Sequence, residues 1–230
     1  VFLSWALERS RVVVAADVGA DRVLEVGHVP DWVIGDFDSF DGRQLSETVR
    51  TLRFACDKDY TDGELATAAA ILLACGREVC DDPDRLYARA QREAVDGRSF
   101  CFLNPIGSRS DHTLANLFLA CAVARKGAEV TWTDGTTWAA VLVGPTDGFV
   151  MPFQSLPFED ATRYLFSIQP MDDRVTGVSL DHLKWALTDV RLPLGRSLGI
   201  SNEPMANHPA EAKVRLASGT AMALTFPETL

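Results

Sequence analysis

Trp32-Val33-Ile34-Gly35-Asp36-Phe37-Asp38-Ser39 is a short apolar run that stops at a glycine and passes straight into two carboxylates. Its length and β-branched content suit a buried strand better than a helix. The arrangement recurs on either side. Residues 12–16 form an apolar run followed at once by Asp17. Residues 52–55 form another, followed by Asp57, Asp59 and Asp62, with Lys58 between the first two. Further runs at 100–103 and 129–133 alternate with helical patterns, which predicts βαβ units and a mostly parallel sheet. Ligands of an open parallel sheet gather at the carboxyl ends of its strands, so these acids are expected to meet in one crevice.

Two helices have clear starts. Thr61-x-x-Glu64 is a capping box, after which Leu65, Ala68, Ala69, Leu72 and Leu73 repeat at helical spacing until Gly76. Ser110 is expected to N-cap a second helix, with Leu114, Leu117, Phe118 and Cys121 on its apolar face and Gly127 as its stop. Residues 81–97 are polar and arginine-rich and suit an exposed helix or flap. The opening VFLSWALERS is amphipathic without a basic leading region, so it reads as a helix entering the first strand rather than a signal peptide, with further residues expected upstream.

The texture changes near residue 136. Short β-type runs follow at 139–143, 163–168, 184–187, 213–216 and 222–226, separated by Gly, Pro, Asp and Asn. Lys213-Val214-Arg215-Leu216 alternates polar and apolar residues as a half-buried strand does. The second half is therefore expected to be a small sandwich or barrel.

The chain has 230 residues, 47% of them hydrophobic, and a formal net charge of −10. The apolar content excludes a disordered chain, and the negative charge argues against nucleic-acid binding. Negative charge also sits badly with a polyphosphate substrate unless a bound cation reverses the local field. Cys56, Cys75, Cys80, Cys101 and Cys121 show no metal-ligand spacing and read as reduced thiols in a cytoplasmic protein. No apolar run has the roughly 20 residues of a membrane span. GxxxxGK[ST], GxGxxG and the kinase catalytic loop are all missing.

Carboxylates delivered to one edge by separate segments repel each other unless a cation is present. Magnesium suits the set, because it takes oxygen ligands and bridges one or two carboxylates to phosphates. An isolated Asp-x-Asp is commonly a solvated turn, and Asp59 and Asp62 also fit the first turn of a helix. Three such places at one predicted edge together favour the cation. In Gly107-Ser108-Arg109-Ser110-Asp111-His112 an arginine reaches a helix N-terminus, which favours phosphate, and Asn116 lies in register to support the same site. His112 and Asp111 also have plain structural readings, as a hydrogen-bonded histidine and a first-turn acid.

Taken in order, Ala16-Asp17-Val18-Gly19-Ala20, Gly35-Asp36-Phe37-Asp38-Ser39, Lys58-Asp59-Tyr60-Thr61-Asp62, the 107–112 segment through Asn116, Lys184-Trp185 and Ser201-Asn202 resemble the thiamine pyrophosphokinase family. The resemblance implies an α/β domain over residues 1–136 holding ATP and Mg²⁺, and an all-β sandwich over residues 137–230 holding thiamine. It implies a homodimer with the thiamine pocket shared between subunits. Asp17, Asp36, Asp38, Asp59 and Asp62 match the family's metal and phosphate acids, with Asp36, Asp38 and Asp62 as the metal set. Lys58, Arg109, Asp111 and Asn116 fall in its nucleotide-side motifs. Trp185 matches an aromatic that stacks on the pyrimidine, and Ser201 and Asn202 match polar residues of that pocket. An indole face is a sound partner for a cationic heterocycle, although Trp185 also reads as a core aromatic.

Three departures stand out. Val18 and Ser108 replace glycines, and His182 stands where a glycine commonly precedes Leu-Lys-Trp. A β-branched Val resists positive φ, so an altered path after Asp17 is expected. The expected reaction is attack of the thiamine hydroxyl on the β-phosphorus of ATP, with either Asp59 or Asp111 accepting the proton. The alternatives are a pyrophosphokinase of another heterocyclic alcohol, such as a 6-hydroxymethylpterin, and an inactive thiamine-binding homologue.

Overall fold

The computed structural model describes residues 2–38, 45–152, 164–205 and 211–228. The chain divides into two compact units, Ser4–Val95 and Asp96–Leu230 with Val1–Leu3. The opening segment is helical as expected, α1 covering Phe2–Glu8.

The Ser4–Val95 unit is an α/β layer. Strands β1 (Val14–Ala16), β2 (Trp32–Gly35) and β3 (Arg50–Arg53) pair in parallel in the order β1-β2-β3. Val33 and Ile34 are fully buried in the middle strand, as their unbroken apolar run requires. Helix α2 (Gly19–Glu25) follows β1 and was not foreseen, because seven residues carry too little periodicity. Helix α3 (Asp62–Ala74) has both halves of the Thr61/Glu64 capping box, and Gly76 leaves its end at φ 66°. It buries Leu65, Ala68, Ala69 and Leu72 and packs on β1 and β2. The arginine-rich stretch is helix α4 (Pro83–Arg92), N-capped by the Asp82 carboxylate and packed on α3.

The other unit holds two sheets. A five-stranded sheet runs in the order β4-β5-β6-β12-β8, built from β4 (Ser99–Leu103), β5 (Glu129–Thr133), β6 (Trp138–Val143), β8 (Tyr164–Pro170) and β12 (Thr220–Pro227). A four-stranded antiparallel sheet runs in the order β10-β9-β11-β7, from β7 (Thr146–Pro152), β9 (Val178–Asp181), β10 (Leu187–Val190) and β11 (Glu211–Leu216). Ala140, Phe166, Ile168 and Ala223 of the first share one core with Met151, Leu180, Val214 and Leu216 of the second. That is sandwich packing. Helix α5 (Ser110–Ala124) lies on β5 and β6.

Several expectations need correction. The five parallel strands do not form one sheet: β4 and β5 pair with each other in parallel, and β5 then pairs antiparallel with β6. β5 leads into β6 through a tight turn, in which the Asp134 carboxylate accepts from the N–H groups of Thr136 and Thr137 while Gly135 takes φ 97°. The chain doubles back there, so the expected division at 136/137 falls inside a sheet. The strand expected at 184–187 begins only at Leu187. Residue 163 lies outside the described residues, as does Ser39. Arg109, not Ser110, occupies the N-cap of α5, and it makes no side-chain cap. Leu114 and Phe118 are exposed, because α5 buries its small-residue face of Ala120, Cys121, Val123 and Ala124 instead.

Candidate functional site

Asp17, Asp36 and Asp62 come off the carboxyl side of the parallel sheet and approach one another. The approach depends on Gly35: a Cβ there would stand 3.0 Å from Asp17 Cβ and 3.3 Å from Asp62 Cγ. Asp17 carries the left-handed backbone at φ 42°, whereas Val18 sits at φ −54° in the ordinary helical region. The valine therefore bears none of the strain expected of it; the turn is made by an aspartate, a residue that tolerates αL.

Phe37 also adopts positive φ, 62°, a costly conformation for a bulky residue. It packs against Ala15, Ala20 and Val33, and the Arg53 guanidinium lies 5.6 Å from its ring centre. The kink brings Asp38 back on Asp36, so that the Asp38 N–H donates to Asp36 Oδ1 at 3.1 Å. Ligand atoms of Asp36, Asp38 and Cys56 lie within 4.8 Å of one another. Cys56 is exposed, unlike the buried Cys121, and the sequence gives it no ligand spacing that would single it out. All five thiols are free.

The electrostatics of this cleft are uneven. Asp17 is 8% exposed, and its Oδ1 has no hydrogen-bond partner among the described residues. Burial pushes its carboxyl up, helped by the carboxylates of Asp62, Asp36 and Asp38 against a lowering backbone hydrogen bond at Val18. Burial also raises Asp62, although Lys58 opposes it. The Asp38 N–H holds Asp36 below the ordinary carboxylate range. Lys58 has a 7% exposed side chain with Nζ 3.1 Å from Asp62 Oδ1 and 3.6 Å from Asp36 Oδ2. Burial works to lower Lys58, but its two carboxylates outweigh that and the net shift is upward. Asp59 is exposed on the loop before α3. Next to it, Tyr60 donates to Asp84 at 2.9 Å and meets the Tyr87 ring at 4.8 Å, which ties the loop to α4. A buried carboxylate oxygen without a donor, beside further hard oxygens, fits a small divalent cation.

The second group lies in the other unit at the start of α5. A pocket of about 190 Å³ is lined there by Gly107, Ser108, Arg109, His112, Thr113 and Asn116, among others. Its size suits a phosphate group better than a whole nucleotide. Arg109 and Asp111 form a two-bond pair, 2.6 Å and 3.2 Å, that holds Asp111 down at about 2. A carboxylate so weakly basic is a poor proton acceptor near neutral pH. Asn116 donates to the Pro105 carbonyl at 3.1 Å and Thr113 accepts from the Gly107 N–H at 3.1 Å, so both brace the loop. Thr113 was not anticipated. Ser108 lies outside the left-handed region, so losing a glycine there carries no strain.

Trp185 stands on the sandwich, 51% exposed and not a core residue. Lys184 Nζ lies 4.5 Å from its ring centre while pairing with Glu203 at 3.2 Å. Asn202 is 2% exposed and its amide is engaged: Oδ1 accepts from the N–H groups of Trp185 and Glu203, both at 3.0 Å, and Nδ2 donates to the Trp185 carbonyl at 2.7 Å. Its backbone pairs with Phe166 of β8. Asn202 therefore holds Trp185 in place. Ser201 is exposed at φ 56°, its N–H donating to Ser167 Oγ at 3.0 Å. His182 takes φ 66°, which explains why a glycine is natural there, and its Nδ1 lies 3.2 Å from Glu211.

These features define a two-unit α/β protein whose parallel sheet ends in an acidic cleft and whose β-sandwich displays an indole. Comparison with known families goes further. The family described as thiamin pyrophosphokinase, catalytic domain, matches residues 3–132, and the thiamin pyrophosphokinase vitamin B1 binding domain matches residues 156–219. The chain belongs to the thiamin pyrophosphokinase family. Among curated proteins no sequence matches it. Its fold is similar to that of thiamin pyrophosphokinase from Candida albicans, with TM-score 0.77 at 15% identity over 98% of this chain and 85% of that one. Thiamine pyrophosphokinase from Bacillus subtilis gives TM-score 0.71 at 18% identity over 99% and 93%. The enzyme from yeast gives 0.68 at 15% over 97% and 81%. Among the described residues no helix is long and apolar enough to cross a membrane.

Proposed function

We propose that the chain is a thiamine pyrophosphokinase, transferring the terminal pyrophosphate of ATP to the thiamine hydroxyl and releasing AMP. The observation that carries this is the acidic cleft, where Asp17, Asp36, Asp38 and Asp62 crowd one sheet edge with a donorless buried oxygen. Asp36, Asp38 and Asp62 would hold Mg²⁺, which when bound neutralises phosphate charge and orients the β-phosphorus for in-line attack. Asp17 sets the charge behind that set. Arg109, at the N-cap of α5, binds phosphate oxygens by exchanging its bond to Asp111 for one to substrate. The proton acceptor is Asp59 or, once Arg109 has left it for substrate, Asp111. Trp185 supplies a face for the thiamine ring, and Asn202 fixes its backbone. No covalent intermediate is required, since positioning and charge stabilisation carry such transfers.

The same reading makes the protein a homodimer, which a solution mass measurement checks. Activity is tested by AMP release with ATP, Mg²⁺ and thiamine. AMP should form one for one with thiamine diphosphate and stop with EDTA. AMP formed only with a hydroxymethylpterin, or thiamine binding without AMP, overturns the assignment.

A further inference from the structure

Lys58 is the odd member of the acidic cleft. It is nearly buried, and its Nζ contacts Asp62 and Asp36, two of the three carboxylates assigned above to the metal. One ammonium faces four carboxylates, so the cleft keeps excess negative charge even with the lysine in place. Arg53 makes no ion pair with these acids, its Nε donating instead to the Asp36 backbone carbonyl at 3.3 Å. Magnesium binds oxygen at about 2.1 Å. An ion on the lysine-facing oxygens of Asp36 and Asp62 would thus stand at most about 5 Å from the ammonium, a repulsive distance in a partly buried site. The two cations draw on the same two carboxylates.

We infer that Lys58 is a tethered counter-ion: it closes the cleft of the metal-free protein between Asp36 and Asp62, and the incoming divalent cation displaces it and frees its ammonium for substrate phosphate. This rests on the reading of Asp36, Asp38 and Asp62 as the metal set. It makes Lys58 a positioning residue whose presence weakens metal binding in the absence of nucleotide. A merely structural lysine has the opposite effect, since its removal would loosen the cleft and weaken the metal.

The test is calorimetric titration of Mn²⁺ alone into the wild-type chain, Lys58→Gln and Asp36→Asn. Lys58→Gln should bind Mn²⁺ about tenfold tighter, the competing charge being gone, and Asp36→Asn should lose binding. Equal or weaker binding by Lys58→Gln, with Asp36→Asn still defective, overturns the role of Lys58 and leaves the metal reading standing. Wild-type affinity in Asp36→Asn overturns both. Should Lys58→Gln fail to fold, the wild-type protein decides the matter through its lysine side-chain NMR signals. On adding Mg²⁺ the Cε signal of Lys58 should move while those of Lys126, Lys184 and Lys213 stay. A stationary Lys58 signal contradicts displacement.

Discussion

The acidic cleft and the Trp185 loop are both polar clusters at strand ends, yet their polar atoms are in opposite states. In the cleft a carboxylate oxygen of Asp17 is buried with no donor among the described residues, and Asp36 and Asp62 share a single lysine. In the Trp185 region the buried amide of Asn202 is spent on three backbone groups. Unsatisfied burial marks a place that awaits a ligand, and satisfied burial marks a brace. On the proposed reading the cleft is where the chemistry takes place, while the Asn202 amide holds a neighbour still.

That contrast is open to direct attack. The largest effect is expected in the cleft: Asp38→Asn should cut turnover about a hundredfold or more, through loss of a charge-stabilising ligand, with little change in melting temperature. Near-normal turnover would remove Asp38 from the site. Asn202→Ala should do the reverse and act on stability. It strands two N–H groups and a carbonyl, at a cost of about 2–3 kcal/mol, or roughly 5–10 °C in Tm for a chain of this size. An unchanged melting curve would refute the brace. Trp185→Ala, at a half-exposed position, should raise the thiamine KM about tenfold, the scale of one lost ring contact, and leave the KM for ATP alone.

Asp17→Asn sharpens the comparison from the other side. Folding pushes this carboxyl up, so its ionised form costs stability; the cost is absent below the ordinary carboxylate range and sets in as pH rises through the raised value. At neutral pH the variant should therefore melt about 2–4 °C higher than wild type when metal-free. The advantage should vanish in acid. A lower melting temperature at neutral pH would show that the charge is already compensated. The smallest effect belongs to His182→Gly, which relieves a left-handed histidine at about 1 kcal/mol less what the contact with Glu211 contributes.

The cleft was legible because its signal is local. An apolar run ending in a carboxylate can be read at Ala16-Asp17 and Gly35-Asp36 without any knowledge of pairing, and the Thr61/Glu64 box is a four-residue pattern. The sheet assignment of β4 and β5 was not legible, since a short apolar run does not say which strand it pairs with. The exposure of Leu114 and Phe118 was hidden for a related reason: periodicity counts large apolar residues, and α5 packs its small ones. The bracing of Trp185 by the Asn202 amide was not legible, because Ser-Asn in a turn looks the same whether the amide faces a ligand or a backbone. Val18 drew suspicion that belonged to Asp17, as residue type alone does not say which position takes positive φ.

The most direct measurement is a crystal structure with Mg²⁺ and a non-hydrolysable ATP analogue. Oxygens of Asp36, Asp38 and Asp62 should then stand about 2.1 Å from the metal, either directly or through its waters, with the Lys58 ammonium moved off both carboxylates. A metal bound elsewhere, with those three side chains turned to solvent and Lys58 unmoved, would contradict the account.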